Sequence, residues 1–398
     1  MSTDKWGPTT TAIHAGRRFN TTRAVTTPIF QTSVFGLMEN AEGAEFANSI
    51  EPPTFYTRWG NPNFSEAQAV IAALEGTDRA LLTSSGMAAF STIFEAFLRP
   101  GDHVVAPAAI YLGTEQLLRR WETTKGIRIT WVQDTLDLGE WEAAVEEGTK
   151  LIWVESPSNP TLAITDLEAI ATLGIQKGIR TVADNTFATP ILTRPCELGF
   201  SLSVSSATKY LGGHSDLVLG VLAGNEADVV ACWEVAKLTG PTPDPMAAWL
   251  LHRGLKTAYM RIRRSADNAQ SLAQWLLWQS QVARVDYPGL KDHPGHTIAA
   301  KQMDGGFGGM LGFELRGGLV AGRRFCEALE IITRGVSLGG VESLIQHPAS
   351  MSHLRTPPEV KAKIGITDGL LRFSVGIEDE ADLKADLERG LQAAMMMV

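Results

Sequence analysis

The residues of this chain with the clearest chemistry are an aspartate, a lysine and a hydroxyl-rich turn. Asp184 stands directly behind the apolar segment 179–183 and is followed by Asn185 and Thr186. Ser205-Ser206-Ala207-Thr208-Lys209 follows Leu202 and Val204 and runs into Tyr210, Leu211 and two glycines. Most lysines are solvated, but an apolar, glycine-rich neighbourhood does not suit a solvated one. Alone, Asp184 reads as a turn aspartate. Together with Lys209, Ser206 and Thr208 it supplies what pyridoxal phosphate chemistry needs. A lysine holds the aldehyde carbon. A carboxylate keeps the pyridine nitrogen protonated, so that the ring accepts electrons. Hydroxyls and backbone N–H groups bind the phosphate. Ser85-Gly86-Met87 offers those N–H groups, because it opens a helix straight after a strand, where free amides and the helix dipole favour a dianion. Gly86 lets the backbone come close.

Such residues need a scaffold that gathers strand ends. From residue 64 the pattern alternates, with helices expected over 64–74, 87–98, 112–124 and 139–146 and strands over 79–83, 103–106, 127–132, 151–154 and 179–183. Thr165 is expected to cap a helix over 166–176, with Glu168 completing a capping box. The alternation predicts a parallel sheet with helices on both faces, and such sheets hold ligands beyond the carboxyl ends of their strands. The Pro-rich break at 240–245 precedes one long expected helix over about 246–281. A smaller α/β unit follows, with strands near 310–315, 331–336 and 371–375 and helices near 320–329 and 380–394. The first 60 residues, rich in Thr, Asn and Pro, read as an extended arm that must wrap a neighbour or cover a core.

Composition narrows the class. The 398 residues are 44% apolar and 20% charged, enough for a large core and against a disordered tail. With 35 Lys and Arg against 44 Asp and Glu the net charge is −9, which argues against nucleic acid as a partner. Cys196, Cys232 and Cys326 lie too far apart for a metal or disulfide framework and suit a reducing cytosol. Residues 1–7 lack the pattern of a signal peptide, and runs such as 217–223 are too short to cross a bilayer. The expected location is cytoplasmic, with no membrane partner.

Several motifs resemble the pyridoxal-phosphate enzymes of cysteine and methionine metabolism, which include cystathionine γ-synthase, the cystathionine lyases and methionine γ-lyase. They are Tyr56-Thr57-Arg58 with Gly60-Asn61-Pro62, Ser84-Ser85-Gly86-Met87, Glu155-Ser156-Pro157-Ser158-Asn159-Pro160, Ala183-Asp184-Asn185-Thr186, Ala207-Thr208-Lys209-Tyr210 and the segment 337–344. The resemblance runs from Thr11 to Ser374. It implies an α/β, fold-type-I chain: a large domain with a mostly parallel sheet and a smaller C-terminal α/β domain. The expected divisions are an arm over 1–60, a cofactor-binding domain over 61–255 and a C-terminal domain over 256–398. It further implies that Lys209 is the Schiff-base lysine, Asp184 the pyridinium partner and Tyr111 the ring-stacking tyrosine. Ser85, Gly86, Met87, Ser206 and Thr208 match the phosphate cradle. Tyr56 and Arg58 match residues that reach the neighbouring subunit's phosphate, in a homotetramer built from dimers with shared sites. Arg372 matches the clamp for the substrate α-carboxylate, a task suited to its planar fork, and Ser337 and Asn159 line the same pocket.

The chain also departs from these relatives. Gly113 stands where methionine γ-lyases resemble one another in a cysteine, and Val336 where cystathionine-handling γ-enzymes carry a glutamate. Trp59 has no account at this level. The reading is therefore a lyase of undefined distal group, releasing a γ- or β-substituent through sulfur or oxygen and yielding a 2-keto acid and ammonia. A γ-replacement synthase uses the same residues. A non-catalytic regulator is disfavoured by intact Lys209, Asp184, Tyr111 and Arg372. A nicotinamide dehydrogenase is disfavoured because the segment 305–312 does not fit G-x-G-x-x-G. No metal is expected at His293 and His296. Trp233, Trp249, Trp275 and Trp278 are expected in core or subunit contacts, and Arg261-Ile262-Arg263-Arg264 on a solvated helix face, with an interface as the alternative.

Overall fold

The computed structural model describes residues 6–352, 354 and 356–395; the expectations for residues 1–5 and 396–398 lie outside the described residues. Seven strands form the larger sheet: β1 (Arg79–Thr83), β2 (His103–Pro107), β3 (Arg128–Val132), β4 (Thr149–Glu155), β5 (Arg180–Asp184), β6 (Leu202–Ser206) and β7 (Gly220–Gly224). Their order is β1-β7-β6-β5-β4-β2-β3. Only β7 runs against its neighbours, β1 and β6; the remaining pairs are parallel. β4 explains why such a strand reads as one apolar run. Its Leu151 and Trp153 pack into one core and its Ile152 and Val154 into another, on opposite faces. Trp153 carries the first of these cores, with Phe90 and Phe94 both 5.1 Å from it between ring centroids. These two phenylalanines come from the helix Gly86–Phe97, so the helix behind Ser85 is pinned to the sheet by aromatic packing.

A second, five-stranded sheet holds β8 (Val282–Asp286), β9 (Met310–Leu315), β10 (Thr333–Arg334), β11 (Leu344–Gln346) and β12 (Leu370–Ser374) in the order β10-β11-β12-β9-β8. Helices Gly318–Ala328 and Glu380–Met395 pack together and help cover it. The helix Ala258–Leu276 joins the two halves physically. Its Ala258 and Ile262 sit in a core with the larger sheet, and Ala269, Leu272 and Leu276 in the core of the smaller one.

Several local expectations are corrected. The long helix over 246–281 is two helices, Pro245–Leu255 and Ala258–Leu276, broken at Lys256 and Thr257; beyond it the chain enters β8, which was not expected. The strand expected over 331–336 shrinks to Thr333–Arg334. Ser205 and Ser206 end β6 instead of forming a turn. The arm is not wholly extended: Pro8–His14 and Asn40–Ala47 are helical. Trp278 is 88% exposed, unlike Trp233, which is buried. Trp59, unexplained before, packs edge-on against Trp233 and accepts a hydrogen bond from its indole N–H (3.0 Å).

A further correction concerns a helix start. Thr165 does not cap the helix Leu167–Lys177; Asp166 does, its Oδ1 accepting from Ala169 N at 3.1 Å. Thr165 Oγ1 is buried without a hydrogen-bond partner, and Glu168 instead pairs with Lys301. Asp166→Ala is therefore expected to lower stability by about 0.5–2 kcal/mol. Thr165→Val, which removes a buried unsatisfied hydroxyl at similar volume, is expected to be neutral or stabilising. Thermal unfolding of the two variants distinguishes them; the reverse ranking would contradict this cap.

Candidate active site

Because the strands of the larger sheet run mostly parallel, their carboxyl ends collect on one edge, and a cavity of about 510 Å³ opens there. Eleven of the residues singled out from the sequence line it: Ser85, Gly86, Met87, Tyr111, Asn159, Asp184, Ser206, Thr208, Lys209, Ser337 and Arg372. Tyr56 and Arg58 lie outside it. Arg58 stacks over the Tyr56 ring (5.3 Å) and donates to the Lys237 carbonyl.

Strand register sets the acidic floor. Glu155 closes β4 and Asp184 closes β5, and the two are direct partners across the parallel ladder. Both are buried. Glu155 Oε2 accepts from Tyr111 N (2.8 Å) and Oε1 from Asn159 N (2.6 Å), so one carboxyl ties together the main chain on two sides of the cavity. Asp184 Oδ1 accepts from Thr186 N (3.0 Å) and from the Thr186 hydroxyl, which itself accepts from Ser206 N (2.9 Å). Burial raises the Asp184 pKa to about 6. Burial, and then the neighbouring Asp184, holds Glu155 well above the usual carboxylate range. Glu155 and Thr186 were not singled out from the sequence. The available signal was that two consecutive buried strands both end in an acid.

The basic side joins a lysine that follows β6 to an arginine of the second sheet. Lys209 Nζ donates to Ser337 Oγ at 2.6 Å. Arg372, on β12, donates through Nη2 to the Ser337 carbonyl (2.6 Å) and through Nη1 to Asn159 Oδ1 (3.3 Å), while its Nε is buried without a partner. Ser337 holds this bridging place with a φ of 83°, a left-handed conformation costly for a non-glycine residue. Burial, reinforced by the Arg372 charge, lowers the Lys209 pKa to about 8, and burial lowers that of Arg372 to about 10.

The arrangement fits a pyridoxal phosphate. Asp184 Oδ2 takes no hydrogen bond among the described residues, and Asp184 lines the same cavity as Lys209. Ser85 caps the helix Gly86–Phe97 through Ala88 N (3.1 Å), and the first turn leaves the N–H groups of Gly86 and Met87 without helical acceptors. A side chain at position 86 would put its Cβ 2.8 Å from Ser206 Cβ and fill the cradle between the two segments. Thr208 is less open than expected: its hydroxyl exchanges hydrogen bonds with Leu219 N and O. Tyr111, 41% exposed, precedes the helix Leu112–Lys125. Its ring leans over Gly113, where a Cβ would stand 2.5 Å from Cε1. Among the described residues no cluster of three or more His, Cys, Asp or Glu side chains could hold a metal ion.

Comparison with known proteins agrees with this chemistry. The Cys/Met metabolism PLP-dependent enzyme family matches residues 9–392. An L-methionine gamma-lyase of Fusobacterium nucleatum subsp. polymorphum is 42% identical over 397 residues, covering 98% of this chain and 100% of that protein. A cystathionine gamma-synthase of Mycobacterium tuberculosis is 43% identical over 389 residues, covering 97% of each. The crystal structure of cystathionine gamma-lyase from Lactobacillus plantarum complexed with L-serine superposes with a TM-score of 0.91 at 36% identity, covering 98% of this chain and 99% of that one.

The double acceptance by Glu155 has a direct consequence. In Glu155→Gln one of the two N–H groups, of Tyr111 or Asn159, must face an amide NH2. Leaving a buried donor unmatched costs about 1–3 kcal/mol. The variant is expected to show a lowered thermal midpoint at pH 7. An unchanged midpoint would mean that Glu155 does not brace the two segments.

Proposed function

The chain belongs to the Cys/Met metabolism PLP-dependent enzyme family, and from that premise we propose that it is a lyase. It eliminates the γ- (or β-) substituent of a sulfur- or oxygen-substituted L-amino acid, giving a 2-keto acid and ammonia. One conjunction carries the reading: a half-buried amine of lowered proton affinity, an aspartate with one unengaged oxygen and a buried guanidinium line one cavity. The relatives at 42% and 43% identity bear the names of a lyase and a synthase. That near-equality keeps a γ-replacement synthase as the second reading.

Each role falls to a residue of this chain. Lys209 holds the cofactor's aldehyde carbon, and Asp184 keeps the pyridine nitrogen protonated. Ser85, Gly86, Met87, Ser206 and Thr208 receive the phosphate. Bound pyridoxal phosphate supplies an electron sink beside the substrate Cα. Arg372, steadied by Asn159 and Ser337, grips the α-carboxylate and so orients the substrate. Lys209 Nζ, released when the substrate's amino group takes its place on the aldehyde carbon, would then take the Cα proton, which its lowered pKa favours. On the γ path it passes that proton on, and a second proton leaves Cβ before the γ-substituent departs. Tyr111, which lines the cavity, would hold the cofactor ring and assist the leaving group. Water supplies the oxygen of the keto acid.

The assembly belongs to the same proposal. Tyr56 and Arg58 reach the phosphate of a neighbouring subunit in a homotetramer made of dimers with shared sites. Their place outside their own chain's cavity supports this, as do the arm's exposed apolar residues Val25, Val34 and Met38. The proposed divisions are the arm over 1–60, a cofactor-binding domain over 61–255 and a C-terminal domain over 256–398. The proposed location is cytoplasmic; no described helix is long and apolar enough to cross a membrane.

The deciding experiment scores a panel of sulfur- and O-substituted amino acids for 2-keto acid release. Four-carbon 2-oxobutyrate without added thiol is the expected product, and pyruvate would mean β-elimination. Product formed only with a thiol would establish the synthase. Lys209→Ala is expected to lose the visible cofactor band and all turnover; turnover near the parent rate would overturn the role of that lysine.

A pH dependence follows from the same amine. Burial disfavours its ammonium form, so the nucleophilic neutral amine predominates above about 8 instead of above the ordinary lysine value of 10.5. Capture of pyridoxal phosphate by the cofactor-free protein should therefore accelerate as pH rises through about 8. Stopped-flow absorbance reads this, and a midpoint near 10.5 would contradict the buried amine.

A further inference from the structure

Arg261 begins a run of charge, Arg261-Ile262-Arg263-Arg264, that reads as a solvated face. The structure corrects this for its first member: Arg261 is 8% exposed. Among the described residues its guanidinium pairs with no carboxylate. Nη1 donates to the Tyr210 carbonyl (2.9 Å), and Nη2 to the carbonyls of Gly254 (2.8 Å) and Leu211 (3.3 Å). Nε donates to Thr257 Oγ1 at 3.2 Å. Burial pulls its pKa down to about 10, the signature of a cation kept where it is costly.

The location gives that cost a purpose. Two of the three carbonyls belong to the residues immediately after Lys209. Gly213 closes around the guanidinium with a φ of 74°; a Cβ there would stand 1.7 Å from Nη1. The loop after Ser337 covers the same turn from the second sheet. Val341 N donates to the Gly213 carbonyl (2.9 Å), and a Cβ at Gly339 would lie 2.7 Å from Tyr210 N. The lysine turn is thus gripped by a buried guanidinium and by the loop that carries Ser337.

We propose that Arg261 is a positioning residue for Lys209. Its fork holds the main chain behind the lysine, so that a long, flexible side chain starts from a fixed Cα and delivers its amine to Ser337 Oγ and the cavity. A planar guanidinium spans three carbonyls at once. A lysine ammonium, a compact point charge, cannot. Charge-assisted bonds to these carbonyls are also stronger than neutral ones. The proposal rests on the reading of Lys209 as the cofactor lysine.

The test compares the holoenzymes of Arg261→Met and Arg261→Lys with the parent and with Lys209→Ala. Both Arg261 variants are expected to keep a visible cofactor band, because Lys209 is intact. The pH midpoint of that band should be displaced, since the amine no longer sits in one environment. In Arg261→Met, kcat should fall roughly 10- to 100-fold while KM changes less than about threefold, as expected for a misplaced reacting group. Arg261→Lys should fall between that variant and the parent. Parent-like kcat and band midpoint, whatever the thermal stability, would overturn the proposal and leave Arg261 a structural residue. Should Arg261→Met not fold, Arg261→Lys decides by the same two readouts. Lys209→Ala separates the failures. If it keeps the band, the lysine assignment has failed. If it loses the band while the Arg261 variants match the parent, the clamp has failed.

Discussion

Two carboxyl groups, Glu155 and Asp184, end neighbouring parallel strands inside the protein, in register with each other. Like charges side by side in a poorly solvated place cannot both ionise cheaply. The chain handles them unequally. Glu155 is given two backbone N–H groups and faces Tyr111 and Asn159; Asp184 is given Thr186 on one oxygen and left open on the other. A cation brought to that open oxygen restores the charge that burial suppresses. In the proposed reading a protonated pyridine ring is that cation, brought to the acid that the parallel sheet places at its edge.

Much of this was legible along the chain. The strand over 79–83 has the bounds expected of it, and the order of acid, hydroxyl turn and lysine already indicated the cofactor chemistry. What stayed hidden depends on register and on tertiary partners. Glu155 reads as the end of an apolar run until β4 is laid beside β5. Arg261 reads as one of several surface charges until the turn behind Lys209 closes on it. The break at Lys256 and Thr257 has no proline to announce it; it turns the carbonyl of Gly254 toward Arg261, a tertiary demand no local pattern records. Thr165 and Asp166 are both good caps by type, and the fold chooses the second while burying the first.

The second sheet is as necessary to the site as the first. The larger sheet provides the acids, the helix start at Ser85 and the lysine, but the lysine's partner is Ser337 and the guanidinium comes from β12. Both halves therefore have to be fixed against each other. The helix Ala258–Leu276 does this by entering both cores, and Arg261 on the same helix extends that connection to the turn behind Lys209.

Lys209 and Arg372 face a related problem of opposite sign. Both are basic groups in a poorly solvated place, and the charge on Arg372 helps to lower the proton affinity of the lysine amine. In the proposed reaction the substrate brings a carboxylate to Arg372. That carboxylate offsets the guanidinium's field at Lys209, and the low local dielectric magnifies the change. The amine then gains proton affinity on substrate binding, when it is required to take the Cα proton. An empty site keeps the amine free to hold the cofactor, and an occupied one makes it a better base. The same pair of basic groups thus serves both tasks, with the substrate's own charge deciding between them.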